Sequence, residues 1–530
     1  MRLLTILVCL VAGLGDGARS LSIPRNQDQV ASAPAKRQAS TSTSTPASII
    51  NTDVFPNSPL NATAWALIYT YPLAIFSSWA GGVLRNHSVN EFFHQRNLAT
   101  PNDPGVIKPN VDTLYSRVVL DLSETDLVLT VPEITDRYWV YPIYDPFGNN
   151  LAEIGIVNDN KPGDYLIRRA LLGNETIGYS NDTSTFDSSA YQGVVTLPGT
   201  HATMLIRLLL VQNTTDNLET VHGYQNESSL TAIAKDDTDA EIWGPTPPLP
   251  ALAVNDSLLG INTPQKQLEF AAQLVQYNPP LVRTDQRRVF QILDIAGLSQ
   301  GNFTRVEGVN LTEAAVIANA SITADVQDPE HIRPQSNDWQ LSTPTYQGDF
   351  GTNYASAAYV ALAGYQQQSV NQTLYPGFRS LGFTSKFTLE EGGALLLSFS
   401  GKPKLNEAKY GFWSLSVYGE DEYLIPNELN RFEVGDRTYN LTYEDGQPIY
   451  GPDADDERDD PFQILVQPAN VTPPGNWTNN WLPASSKFSW LCKSLRWYVP
   501  ELAMTDGNYI YPEVENITAI TEVQSNSPVV

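Results

Sequence analysis

Two groups of residues have the types and spacing to carry chemistry. The first is the block Asn110-Val111-Asp112-Thr113-Leu114-Tyr115-Ser116 together with Asp145, Asn149 and Glu153 further along. On a strand, Asp112, Leu114 and Ser116 share one face and Thr113 and Tyr115 the other. A cleft holding Asp112, Tyr115, Tyr138, Asp145 and Asn149 would offer an acid, a base and hydrogen-bond donors. Two carboxylates in unlike environments can divide into acid and base. Asp112, Tyr115 and Asp145 are therefore the candidate catalytic groups, and Tyr138 and Asn149 candidate binding groups. The competing reading is that the two aspartates cap turns and the tyrosines fill core. The second group is Arg431, Asn480, Trp481, Arg496 and Tyr498. Aromatic faces beside amide and guanidinium groups suit a sugar or a planar ligand. The competing reading here is a buried arginine ion pair, Arg496 with Asp436 or Glu433, inside an aromatic core.

Other common constellations are missing from the sequence. It has no glycine-rich phosphate loop, no dinucleotide fingerprint, no His-Glu-x-x-His pair and no Gly-x-Ser-x-Gly elbow. None of the histidines at 87, 94, 201, 222 and 331 is paired at metal-ligand spacing. Neither a metal nor an organic cofactor is expected. The acidic loop 451–460 lacks the glycine and closing glutamate of a calcium hand. Cys492 lies among Phe488, Trp490, Leu491 and Leu495 and reads as a small buried hydrophobe.

The elements around these residues read as mixed α and β. Residues 59–84 predict one helix, broken near Pro72. Short apolar runs at 118–120, 127–129, 138–141 and 154–156 predict strands, as do 193–197 and 203–212. Leu268, Ala271, Ala272 and Val275 at helical spacing predict a helix over 265–277, with further helices at 284–296, 311–320 and 356–365. From 376 onward the strand pattern returns, at 384–389, 394–399, 412–418 and 462–466.

The chain has 530 residues, is 42% hydrophobic, and carries a net charge of -26. That charge excludes a nucleic-acid partner, because phosphate binding needs clustered Lys and Arg, and it disfavours docking on anionic lipid. The N-terminus has the anatomy of a signal peptide, with a basic start, an apolar stretch over 3–11 and small residues to Ala18. Cleavage after Ala18, then a dibasic cut at Lys36-Arg37, would leave Gln38 first. Residues 40–48 read as a Ser/Thr/Pro-rich lead-in. Cys9 would leave with the leader, so no intramolecular disulfide is expected. Sequons stand at Asn61, Asn86, Asn174, Asn181, Asn213, Asn226, Asn255, Asn302, Asn310, Asn319, Asn371, Asn440, Asn470, Asn476 and Asn516. They point to secretion, as a glycoprotein, and no later segment predicts a membrane span.

Several blocks resemble a known pair of families, domain-of-unknown-function 1254 followed by 1214. The first is carried by Asn110 to Ser116, by Asp136-Arg137-Tyr138-Trp139, by Asp145 to Asn149 with Gly155, and by Asn278-Pro279-Pro280 with Gly297. The second is carried by Phe412 to Leu415, Tyr418, Pro426-Asn427, Asn430-Arg431-Phe432, Asn480 to Ala484 and Leu495 to Pro500. Gly419-Glu420 departs from the pattern, which usually has an Asp after the tyrosine. The resemblance implies an α+β first domain with a helical insert and an antiparallel β-sandwich second domain of jelly-roll type, with oligomers among its members. The expected division is a signal peptide (1–18), a linker (19–50), the first domain (51–325), a helical connector (326–375), the second domain (376–516) and a tail (517–530).

The leading expectation is a secreted, cofactor-independent enzyme acting by acid/base chemistry on a small molecule or glycan. The alternatives are a non-catalytic carbohydrate or cell-wall binding protein, and a secondary-metabolite tailoring protein that dehydrates or cyclises its substrate.

Overall fold

The computed structural model describes residues 48–102, 109–171, 175–235, 237–249, 263–379, 386–389, 391–489 and 495–522. The leader, the dibasic site, Cys492, Asn174 and Asn255 lie outside the described residues. Element order is set by a long helix, α1 (Pro59–Leu84), followed by strands β1 (Phe93–His94), β2 (Thr113–Asp121), β3 (Asp126–Val131), β4 (Trp139–Tyr144) and β5 (Asn150–Gly155). Strands β6 (Gly163–Arg169), β7 (Gly178–Ser180), β8 (Gly193–Leu197) and β9 (His201–Leu209) come next. Helix α2 (Thr215–Glu227), strand β10 (Ser229–Ile233) and helix α3 (Asp237–Trp243) follow. Four helices then complete the first half: α4 (Pro264–Leu274), α5 (Gln286–Ile295), α6 (Leu311–Val326) and α7 (Tyr354–Ala363).

The first-domain strands form two five-stranded sheets, ordered β1-β2-β9-β4-β5 and β10-β3-β6-β8-β7. They bury one core between them, with Leu114, Val118 and Leu120 from one sheet meeting Leu129, Tyr165 and Ile167 from the other. Side chains alternate along a strand. The opposite face of β2 therefore presents Tyr115, Arg117 and Val119 to the helical layer, and Val119 joins the core made by α1 with α4, α5, α6 and α7. The fold is thus sheet, sheet and helix in three layers.

Helix α1 starts cleanly, with the Ser58 hydroxyl capping Asn61 N–H and Pro59 in the first turn. The expected break at Pro72 does not occur, and the helix runs through it. Burial decides this: Trp65, Ile68, Leu73 and Phe76 are enclosed on every side. Two carbonyls earlier in the helix also take a side-chain donor. The Thr70 hydroxyl donates to Ala66 O at 2.7 Å, and Gln267 Nε2 from α4 donates to Leu67 O at 2.7 Å. By length and hydropathy α1 could cross a membrane, but 78% of its most apolar window is buried inside the fold. It is a core helix.

Residues 373–518 form further sheets. One has the order Thr373–Leu374, Leu495–Tyr498, Trp413–Ser416, Glu433–Gly435; another runs Trp481–Ala484, Phe462–Pro468, Gly393–Phe399, Glu513–Thr518. Leu395, Phe399 and Ile464 from the second meet Trp413, Val434 and Trp497 from the first in one core. Not every pair is antiparallel as expected. Phe462–Pro468 and Trp481–Ala484 run parallel, because the intervening 469–480 crosses over through a short 3-10 turn. The molecule is mixed α+β with mainly antiparallel sheets.

Candidate functional site

The cavity that joins the two halves is built from the outer face of the first sheet. Strands β2 and β9 pair antiparallel, with Tyr115 opposite Arg207 and Arg117 opposite Leu205. All four side chains share the face turned toward α1. The helix supplies Tyr71, Ile75, Ser78, Trp79 and Gly82, and the gap between helix and sheet is a cavity of ≈ 340 Å³. One end is closed by Tyr375 and by Arg496 and Tyr498, which alternate onto one face of Leu495–Tyr498. The segment after α7 closes another side with Tyr365, Gln366 and Gln367. Tyr365 and Gln366 both have left-handed backbone, at φ 41 and 56, a conformation that costs non-glycine residues energy. Tertiary bonds hold it: Tyr365 Oη donates to Pro146 O at 2.9 Å, and Gln366 Nε2 to Thr203 Oγ1 at 2.7 Å.

Two buried guanidiniums define the electrostatics. Arg207 is 5% exposed and Arg496 4%. Arg207 donates to Tyr144 Oη at 3.4 Å and to Gln366 O at 3.3 Å, and lies over the Tyr115 ring at 5.7 Å. Arg496 donates to Ser416 Oγ at 3.2 Å and Tyr418 Oη at 2.7 Å. Among the described residues neither forms an ion pair. The expected pairing of Arg496 with Asp436 or Glu433 is corrected: Arg437 holds both, at 2.9 and 3.5 Å, and also grips Asp112. Tyr71 and Gln367 also line the cavity, but Tyr71 Oη and Gln367 Oε1 are buried away from it and make no hydrogen bond among the described residues.

The expected first-domain cleft is not assembled. Tyr115 lines the cavity, but Asp112 and Asp145 do not. Asp112 points the other way along β2, into the second domain, where Ser414 Oγ donates to it at 2.8 Å and Arg437 pairs with it. Burial alone would raise its carboxyl, but Arg437 and its hydrogen bonds hold it below the usual range. Glu433 beside it is pushed up by burial and by the Asp112 charge. Asp145 caps its own turn. Its Oδ1 accepts from the N–H groups of Phe147 and Asn149 at 2.9 Å, and its Oδ2 from Asn149 Nδ2 at 2.8 Å. Burial pushes its carboxyl up to about 7. Asn149 in turn accepts from Phe350 N at 3.3 Å. Tyr138 is buried between domains, donating to Gln372 Oε1 at 2.9 Å and accepting from Gln368 Nε2 at 2.8 Å.

The second-domain set also divides. Arg496 and Tyr498 line the cavity, and Tyr498 Oη accepts from Asn110 Nδ2 at 2.9 Å. Arg431, Asn480 and Trp481 form a separate structural knot. Arg431 Nη1 donates to the carbonyls of Thr478, Asn479 and Trp481, at 2.7, 3.1 and 2.8 Å. Asn480 ties Thr442 to Gln463, and Trp481 Nε1 donates to Gln467 O at 3.1 Å. Trp481 is 4% exposed, so its ring offers no stacking face to solvent.

Sequence reasoning missed Arg207, Tyr71 and Gln367. A signal existed for Arg207, which interrupts the apolar run Met204-Leu205-Ile206 and Leu208-Leu209-Leu210. Its pairing with Tyr115 depends on strand register, which no local pattern reveals. No cluster of His, Cys, Asp or Glu suited to a metal occurs among the described residues.

None of the curated proteins compared matches this chain. Among solved structures, the VPA0106 protein of Vibrio parahaemolyticus is similar at a TM-score of 0.55 and 17% identity, over 87% of this chain and 100% of that one. That likeness shows a shared fold. A putative uncharacterized protein from Burkholderia cenocepacia aligns over 86% of this chain and 88% of that one, at a TM-score of 0.36 and 12% identity. Two family models match: DUF1254, a protein of unknown function, over residues 89–232, and DUF1214, likewise of unknown function, over 396–502. The first spans the paired sheets that carry Tyr115 and Arg207, and the second the strands that carry Arg496 and Tyr498, so the chain belongs to the DUF1254/DUF1214 family.

Proposed function

We propose that the protein takes a small molecule into the cavity between its two domains. The observation that carries this reading is the pair of buried guanidiniums, Arg207 and Arg496, lining one cavity with no ion-pair partner among the described residues. Native proteins rarely leave buried charges unpaired, and each is costly unless a ligand or water compensates it. An apolar wall of Ile75 and Trp79 facing polar groups from both domains is the usual composition of a small-molecule pocket. Glycan capture on a Trp481 platform lacks an exposed ring to support it.

Gly82 supplies the test. It lies at the exposed edge of the cavity with open space where a side chain would project. Gly82→Trp should fill the pocket while leaving its polar groups intact. Thermal-shift screening of a mixed small-molecule panel should find stabilising compounds for the wild type that Gly82→Trp no longer binds. Compounds that stabilise both proteins equally would refute the site.

Acid/base turnover of that molecule is a second reading. It is favoured by Tyr115, whose hydroxyl makes no hydrogen bond among the described residues and whose ring lies beside Arg207. A phenol hydroxyl without a protein partner, in the wall of the cavity, is a donor that proton transfer to a bound molecule would use. In this reading the second domain is a jelly-roll-type sandwich supporting one wall, consistent with its two larger sheets sharing a core. Export as a glycoprotein belongs to the same proposal. Of the fifteen sequon asparagines, every one among the described residues is exposed or half-buried.

A further inference from the structure

We infer that the small molecule is an organic oxyanion, with its anionic group held by Arg207 and Arg496 and its apolar body against Ile75 and Trp79; this rests on the cavity being a ligand site. A guanidinium has five N–H donors in a planar fork. Arg207 uses two in long bonds, and Arg496 uses two. Both are more than nine-tenths buried, and neither has a carboxylate within ion-pairing distance among the described residues. The carboxylates in the neighbourhood are already committed. Asp112 is engaged by Arg437 and Ser414, and Glu153 accepts from the Ser369 hydroxyl, Ser369 N–H at 3.0 Å and Asn150 Nδ2 at 2.5 Å.

Two buried positive charges facing one cavity are expensive unless an anion joins them. Arginine forks match carboxylate and phosphate geometry in bidentate fashion. Ile75, Trp79 and Leu205 leave the rest of the volume apolar. An oxyanion with a hydrocarbon or aromatic body satisfies both ends at once; a neutral sugar would stack on Trp79 but bring no charge to the guanidiniums.

The test is calorimetric titration of the full protein with three probes: 3-phenylpropanoate, its neutral isostere 3-phenylpropanamide, and phenyl phosphate. The expected result is that at least one oxyanion binds and the amide does not. The tighter of the two oxyanions identifies whether carboxylate or phosphate is the natural group. Arg207→Gln and Arg496→Gln should each weaken the oxyanion roughly 10- to 100-fold, the loss of a charge-assisted hydrogen bond. Arg207→Lys and Arg496→Lys, which keep the charge, guard against a glutamine variant that fails to fold and should retain part of the affinity. Binding of the amide equal to that of the oxyanions, or oxyanion affinity unchanged in both arginine variants, overturns the inference. So does Gly82→Trp-sensitive binding of the amide alone, which would leave the cavity as a ligand site for neutral molecules. Loss of Gly82→Trp sensitivity for every probe would instead remove the site itself.

Discussion

Removal of Arg437 tests how the two domains are joined. Its guanidinium is 9% exposed and serves three carboxylates: Asp112 from the first domain, and Glu433 and Asp436 from the second. It also lies 4.6 Å over the Phe412 ring, in the cluster that Tyr138, Leu209 and Tyr498 form between domains. Arg437→Gln leaves the Asp112 charge with hydrogen bonds from the Ser414 hydroxyl and Glu433 and with Arg496 as a more distant cation. Breaking a buried pair from one side typically costs about 3–5 kcal/mol. The cost should depend on pH. In the wild type the Asp112 carboxyl is held below its ordinary value, so its stabilising effect is present above that value and fades as pH falls through the lowered one. Without Arg437, the largest influence opposing burial is gone, and the carboxyl should titrate well above its wild-type value. The variant can then relieve the stranded charge by taking up a proton in mild acid. Urea unfolding followed by tryptophan fluorescence should therefore show the full deficit at about pH 7.5 and a clearly smaller one at about pH 4.5. Limited proteolysis should cut the variant faster near 373 or 410, where the domains meet. A loss below about 1 kcal/mol at neutral pH, or the same loss at both values, would refute the reasoning.

Asp145→Asn should flatten part of the pH–stability profile. Its carboxyl titrates at about 7 in the folded chain against 3.8 when unfolded, so the folded state holds the extra proton and stability falls as pH rises between those values. Thermal melts across that interval check it, and an unchanged slope would reject it. Trp481→Ala should destabilise by about 3–5 kcal/mol through the cavity it leaves, without changing ligand affinity in the interdomain cavity. A normal melt with lost binding would reverse that assignment. Site-mapped deglycosylation of protein made in a secretory host should find glycan at exposed sequons such as Asn86, Asn213 and Asn440. Complete absence at all three would count against export as a glycoprotein.

Much of this molecule is local in origin and so could be read from residue order. The apolar runs of β3, β8 and β9 and the helical spacing of α4 fall within a residue or a few of the expected elements, because period and punctuation act over single turns and strands. The continuity of α1 through Pro72 could not be read that way, since it depends on enclosure by helices that follow about two hundred and more positions later. The division of the site residues was equally non-local. Alternation along β2 separates Asp112 from Tyr115, and that much the sequence determined. Which face meets Arg437 and which meets Arg207 was decided by strand register and domain docking, because contacts between residues far apart in the chain exist only once the layers have packed.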